Sequence, residues 1–508
     1  MTEAPPGETT ARPGTYGRIL KSSALIGGSS VVNVLVSMIR VKFTAVYLGP
    51  LGVGLLGAYH SILAPIGTVA SMGLGAGAVR QIAEGVGQGD QAKVSRALQT
   101  IRRASFITGT LGVILTCLLA YPASLYTFGN ADHVWALCAL SLTLLMGSLA
   151  GGLGAIIQGM RRIRDMAAQG IIGSVLGLVI SVPLMIWLGV KSVVPMMLLS
   201  SLAALIVTWL FARRIQVPCV PLTWRQTWLE ARPMLKLGIV MTASGLIGMG
   251  VNYIIRLILI RKLGLEANGI YSAASMLSSY YVNIILGAMG ADFYPRLAEV
   301  NKNHPEVNRL VNEQTEVGLL IALPGVIATL TMAPLVIHIF YTSKFLPAVE
   351  VLQWMVLGVA LRVVTWPMGY ILLAKGAKRM FFWTELASNI VLVTLTVLAV
   401  YIWGLKGTGI AFFGLYLFYL ALMLVVTNRM TGFSWTPYSR QLVLLFSATA
   451  ALAFVIAWKI PFIWAAAIGA SLATATGLCA LSELTRLIGR NPIAVFWQKL
   501  RNNLPGIS

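Results

Sequence analysis

Arg362 stands about fifteen residues into an apolar run, close to its middle, where a long side chain cannot readily reach water at either end. Arg40 and Arg256 lie in the outer halves of two other apolar runs. An arginine facing lipid at a bilayer centre costs about 2.5–3.5 kcal/mol on insertion scales, so such residues face a cavity or a partner. Each of the outer two belongs to a polar stripe. Ser30, Asn33, Ser37, Arg40 and Thr44 recur at steps of three and four, which places them on one helix face. Gly245, Gly248, Asn252 and Arg256 do the same, as do Ser272, Ser275, Ser279 and Asn283 in the next run. Another run carries Gly57, His60, Gly67 or Thr68, Ser71 and Gly75. No acid lies in the middle of a run: Asp292 and Glu385 are near one end of theirs, and Glu350 near the other end of its own. An interior with arginines and no central carboxylate suits an anion and disfavours an organic cation. Arg362 shares its helix face with Gly358, Thr365 and Gly369, which predicts a small and polar wall around it. Small and polar stripes also glue helices together in lipid, and that reading stays open for the stripes taken alone. The four cysteines are scattered without metal-ligand spacing or a disulfide framework, so no metal site and no cysteine nucleophile is expected.

These side chains must be held by membrane helices. Apolar runs of roughly 20 residues recur from about Ser22 to about Leu487, the length needed to cross a bilayer at 1.5 Å per residue. Only a helix satisfies its own backbone in lipid without neighbouring strands. The chain is 57% apolar and 11% charged, with a mean hydropathy of +0.81, whereas soluble domains carry about 25% charge. The predicted fold is all-α, a polytopic membrane protein of about fourteen transmembrane helices. The first apolar run is too long for a secretory core and reads as a retained span.

Orientation follows from charge. Of the 38 Lys and Arg, 28 fall in the tails and on the turns that share a side with them, 9 fall on the other side, and Arg362 lies within a span. Cytoplasmic loops carry such an excess, so both termini are expected in the cytoplasm. The same asymmetry accounts for the net charge of +22 without nucleic acid. The external loops are short and offer few acids beyond Asp132, Glu266 and Glu350. A membrane glycan ligase or polymerase would need catalytic groups there, so an enzyme is not expected.

The chain also matches itself. "YLGPLGVGLLGAY" (47–59) aligns with "KLGLEANGIYSAA" (262–274) at an offset of 215, and the same register brings Gly75 onto Gly290 and Glu84 onto Glu299. An offset of six spans gives both copies one orientation, a parallel repeat. The predicted organisation is a disordered tail (1–19), an N-lobe of six helices (20–212), a cytoplasmic linker (213–232) and a C-lobe of six helices (233–428). Two additional helices (429–487) and a basic tail (488–508) follow. The lobes, related by a pseudo-twofold axis along the membrane normal, would enclose a central cavity.

The spans, the parallel halves and "YLGPLGVGLLGAY" resemble polysaccharide flippases of the multidrug/oligosaccharidyl-lipid/polysaccharide exporter superfamily. "SKFLPAVEVLQWMVLGVALRVVTWPMGYILLAKGAKRMFFWTELASNIVLV" (343–393) and "GADFYPRLAEV" (290–300) are similar to O-antigen and enterobacterial common antigen translocases. The resemblance implies a non-enzymatic transporter in the bacterial inner membrane. Its cargo would be an undecaprenyl-diphosphate-linked oligosaccharide, an O-antigen or exopolysaccharide repeat unit, moved to the periplasmic leaflet by alternating access. Arg40, Arg256 and Arg362 would then pair with the diphosphate, and Asn33, Asn252 and Asn283 would bond sugar hydroxyls. Glu385 is expected to be functional in coupling to H+ or Na+, and Asp292 structural. No cofactor is expected; membrane lipids and polysaccharide polymerase machinery are the expected partners of a monomer. The alternatives are a multidrug-type ion-coupled antiporter of the same fold and a membrane glycan ligase or polymerase.

Overall fold

The computed structural model describes residues 14–215 and 221–488. Most of the predicted N-terminal tail, part of the predicted linker and the C-terminal basic tail therefore lie outside the described residues. Fifteen α-helices and no strand occur among the described residues. They divide into two compact units, one up to Tyr253 and one from Ile254. The first holds α1 (Gly14–Ser71), α2 (Leu74–Gln88), α3 (Gln91–Phe128), α4 (Val134–Gly159), α5 (Ile163–Leu188), α6 (Val193–Ala212) and most of α7 (Trp224–Leu263). The second holds the end of α7, α8 (Leu265–Glu299), α9 (His304–Thr331), the short α10 (Ala333–Phe340), α11 (Ala348–Ala374), α12 (Lys378–Trp403), α13 (Lys406–Thr431), α14 (Pro437–Lys459) and α15 (Phe462–Ile488). The division falls inside α7, within the predicted C-lobe, because the first part of α7 docks on the start of α2.

Ten stretches among the described residues are long and apolar enough to cross a membrane, against the fourteen or so predicted. Two of the ten, Gly27–Ser71 and Ile163–Ala212, have 45 and 50 residues and turn midway at Gly49 and Gly189. α7 and α8, with 40 and 35 residues, are not among the ten. The chain is a multi-pass membrane protein. Its lipid-facing surface is apolar: Trp135, Trp187 and Tyr401 are 82%, 80% and 83% exposed. These rings, with Trp403, Trp458 and Trp464, lie at helix ends opposite the basic turns, where amphipathic aromatics settle at a membrane interface. Lys262 lies 6.0 Å from the Tyr401 ring and Lys459 4.6 Å from that of Trp458, as expected of cations reaching for the same interface.

The 215-residue register recurs in the backbone. Gly49 (φ 63°, ψ −170°) and Gly264 (φ 89°, ψ 173°) turn the chain alike, and so do Gly189 (φ 54°, ψ −134°) and Gly404 (φ 58°, ψ −138°). Arg161 (φ 55°) and Gly376 (φ 63°) form a third such pair. α5 and α12 begin and end at the same offset. Arg161 thus occupies a left-handed position where its counterpart is glycine. A side chain there costs about 1–2 kcal/mol, part of which glycine returns through its greater unfolded-state entropy. Arg161→Gly is expected to stabilise the protein by about 0.5–1 kcal/mol, read as a rise in its melting midpoint in detergent; an unchanged or lowered midpoint would contradict it.

In the second unit α14 and α15 pack on α9. A ladder of side chains on α9 receives the preceding turn. Asn308 donates to the Thr431 carbonyl (3.0 Å), and Asn312 donates to the Ser434 carbonyl (3.2 Å) and accepts from the Thr436 amide (3.0 Å). Glu316 accepts from the Ser439 hydroxyl in the first turn of α14. Orphan backbone groups of the turn and of the helix start are satisfied in this way, which fixes where the last two helices attach.

Candidate functional site

α11, α12 and α13 pack side by side, and a cavity of about 370 Å3 opens between them. α11 lines it with Arg362, Thr365, Trp366, Gly369 and Tyr370, at helical steps of three and four. α12 contributes Glu385, Ser388 and Asn389, and α13 contributes Phe412, Tyr416 and Tyr419. Arg362 is the fifteenth residue of α11, as expected, but its surroundings differ from the small, polar wall predicted. Phe412 fills the space beside Gly358, where a β-carbon would lie 2.6 Å from the ring. Trp366 and Tyr370 pack 4.6 Å apart against α8, where a β-carbon on Gly290 would meet the Tyr370 hydroxyl at 2.9 Å. Glycines on neighbouring helices make room for the rings.

Arg362 also has a carboxylate for company. Glu385 faces the same cavity from α12. The sequence reading placed Glu385 near a membrane end and left the arginine without a central acid. Packing brings them together because Glu385 is already two turns into α12. The two are not a closed ion pair: no carboxylate lies within 4.0 Å of Arg362 among the described residues. Asn389 donates to the Glu385 carbonyl (2.8 Å), Ser388 to the Thr384 carbonyl (2.7 Å), and Thr365 to the Arg362 carbonyl (3.2 Å), so local bonds hold these side chains in place.

The other predicted residues are dispersed. Arg256 donates to the Asn268 side chain (3.1 Å) and the Ser272 hydroxyl (2.6 Å) and lies over the Tyr271 ring, so it ties α7 to α8. Asn33 accepts from Ser174 of α5 at 2.9 Å, a contact between α1 and α5. Both stripes act as helix glue at these positions. Arg40 is half-buried on α1 and points toward α5, where a β-carbon on Gly177 would lie 3.9 Å from its Nη1. No carboxylate is within ion-pair distance of it among the described residues. Asn252 is exposed on α7, and the Asn283 side chain lies outside the described residues. Asp292 pairs with Arg296 one turn on, at 3.2 Å and in the open. No group of His, Cys, Asp and Glu that would hold a metal occurs among the described residues.

Sequence reading missed Trp366, Tyr370, Phe412, Tyr416 and Tyr419. The signal was the spacing of 412, 416 and 419, which puts three rings on one face of α13. Comparison with known proteins gives the lineage. A profile of a family described as "Polysaccharide biosynthesis protein" matches residues 49–350. The chain belongs to that family. The matched region takes in Arg256 and the polar stripe of α8, and stops before Arg362 and Glu385. Among curated proteins, this family member is 23% identical over 415 residues to the lipid III flippase of Escherichia coli (strain K12), a match covering 80% of this chain and 97% of that one. The lipid III flippase of Shigella flexneri matches equally. Among solved structures, an inward-facing multidrug-resistance MATE transporter superposes with a TM-score of 0.66 at 16% identity, covering 79% of this chain and 94% of that one. The lipid II flippase MurJ in an inward closed conformation superposes with a TM-score of 0.64 at 13% identity, covering 93% and 100%. The fold is that of the multidrug/oligosaccharidyl-lipid/polysaccharide exporter superfamily.

Proposed function

We propose that the protein carries a polyprenyl-diphosphate-linked oligosaccharide across the bacterial inner membrane, from the cytoplasmic to the periplasmic leaflet, by alternating access. The observation that carries this reading is an internal one. Arg40, and the cavity that holds Arg362 and Glu385, lie within apolar helices, as a cargo with a polar head and a lipid tail requires. The match to lipid III flippases over 80% of this chain supports the cargo class. Arg40, a half-buried guanidinium with no carboxylate in ion-pair contact among the described residues, is the group best suited to the diphosphate, which it would take through two parallel charge-assisted bonds. No bond of the cargo is made or broken.

Deletion of the gene tests the reading: lipid-linked glycan should accumulate and remain shielded from a membrane-impermeant lectin in spheroplasts, and the full chain should restore labelling. A deletion strain that accumulates no such lipid would refute it. One observation favours a second reading. Glu385 inside a membrane cavity is what an ion-coupled drug antiporter of this fold would use, although Arg362 opposite it opposes a cationic drug. Proton-dependent ethidium efflux by the purified chain in liposomes, lost in Glu385→Gln, would establish that reading.

Both termini belong in the cytoplasm on the charge asymmetry. Alkaline phosphatase fused after Arg490 should be inactive and a green fluorescent protein fused there bright. The opposite pattern would require an odd number of crossings.

A further inference from the structure

We infer that the cavity between α11, α12 and α13 is a subsite for a single neutral sugar ring of the cargo, with Arg362, Glu385 and Asn389 reading its hydroxyls. This rests on the transport reading above. The chemistry of the two charges decides the ligand class. A diphosphate entering the cavity would meet the Glu385 carboxylate, and an organic cation would meet the Arg362 guanidinium. A neutral polyol suffers neither repulsion, because one hydroxyl accepts from the guanidinium while another donates to the carboxylate. That the charges share a cavity without closing on each other leaves room for such a bridge. The remaining walls are rings. Trp366, Phe412 and Tyr416 line it with apolar ring surface suited to the C–H face of a pyranose, and the indole N–H and phenol O–H of Trp366 and Tyr416 are polar groups suited to its rim. The volume of about 370 Å3 is near the lower end for ligand pockets, which run from roughly 300 to 1,000 Å3, and admits one ring but not an oligosaccharide.

The internal repeat shows that none of this chemistry is demanded by the fold. At the same register of 215 residues, the first unit has Gly147 for Arg362, Gly170 for Glu385, Ser174 for Asn389, Gly151 for Trp366 and Ser201 for Tyr416. α4, α5 and α6 pack in the first unit as α11, α12 and α13 do in the second, α6 and α13 each packing on both of the other two, with glycine and serine at those places. Two half-buried opposite charges and a set of rings found in only one of two equivalent helix triplets are there for something other than packing.

The test uses the full chain in lipid nanodiscs with two probes. One is the lipid-linked glycan extracted from a strain deleted for this gene, and the other is undecaprenyl diphosphate without sugar. The wild type should bind the glycan-bearing lipid about tenfold or more tightly than the bare one, since a site built for hydroxyls rejects a ligand lacking them. Glu385→Gln, Arg362→Gln and Asn389→Ser should each bring that ratio toward one while bare-lipid affinity holds. Asn389→Ser places in the second unit the residue that the first unit tolerates, so it keeps the test valid if a charge variant fails to fold. The double variant Arg362→Gln/Glu385→Gln should remain deficient. Recovery of the ratio and of export in the double variant would show a structural ion pair and overturn the inference, as would equal binding of the two lipids by the wild type. A deletion strain without accumulated glycan would instead overturn the transport reading and leave nothing for the subsite to bind.

Discussion

Arg40→Ala is expected to abolish glycan export while the protein still inserts and accumulates. Arg40 is half-buried in α1 and directed at the glycine surface of α5, and no carboxylate among the described residues pairs with it. A charge within a membrane helix opposes insertion by about 2.5–3.5 kcal/mol at the bilayer centre, so its removal does not harm assembly. Its loss from a bound diphosphate removes bonds worth about 1.5–3 kcal/mol each, which for two bonds is a drop in affinity of roughly 100-fold or more. Arg40→Lys should keep part of the activity, since it retains the charge and loses the planar fork. Surface glycan measured at matched protein level decides it; normal export by the alanine variant would show that Arg40 is an interfacial anchor.

Gly238→Val is expected to have the largest effect on stability. The chain bends between α1 and α2 at Met72 (φ 47°) and Gly73 (φ 65°), and α7 lies directly against that bend. A β-carbon on Gly238 would stand 2.3 Å from the Met72 carbonyl oxygen and 2.4 Å from that of Gly73, and one on Gly77 would stand 2.3 Å from that of Met234. The obstacle is backbone on both sides, so no rotamer change relieves it. Overpacking a well-fitted contact costs about 1–3 kcal/mol, and a backbone clash more. The valine variant should lose accumulation in the membrane or melt well below the wild type. Gly245→Val serves as control, because the corresponding β-carbon has nothing within 4 Å. Similar losses from both variants would show that α7 does not tolerate a branched residue anywhere, and the contact with the bend would lose its significance.

Helices, the basic asymmetry and the 215-residue register were legible in the sequence because each is written in local pattern: run length, charge per turn, glycine spacing. Gly49 and Gly264 illustrate this, since both needed only a left-handed turn that glycine supplies. The use of the polar stripes was not legible. Spacing shows that Asn33 and Arg40 share a face, but not that Ser174 on α5 takes up the amide while the guanidinium finds no carboxylate among the described residues. Arg256 looked like Arg40 in its stripe and proved to be bonded to Asn268 and Ser272. The cavity around Arg362 was hidden for the same reason. Its face of α11 reads as small and polar at Gly358, Thr365 and Gly369, and the rings of Phe412, Tyr416 and Tyr419 come from α13, which only packing brings near.

The turns at 49 and 264, 161 and 376, and 189 and 404 share a left-handed backbone at one offset of 215 residues. The bends match at that offset, whereas side chains between them, such as Gly147 and Arg362, do not. Tolerance to substitution should therefore come in two classes. Paired turn positions should be sensitive in both halves, and positions such as 147 and 362 should be sensitive in one. The cargo preference of such a transporter can then be redesigned through a few positions of α11, α12 and α13, with the matched turns left untouched.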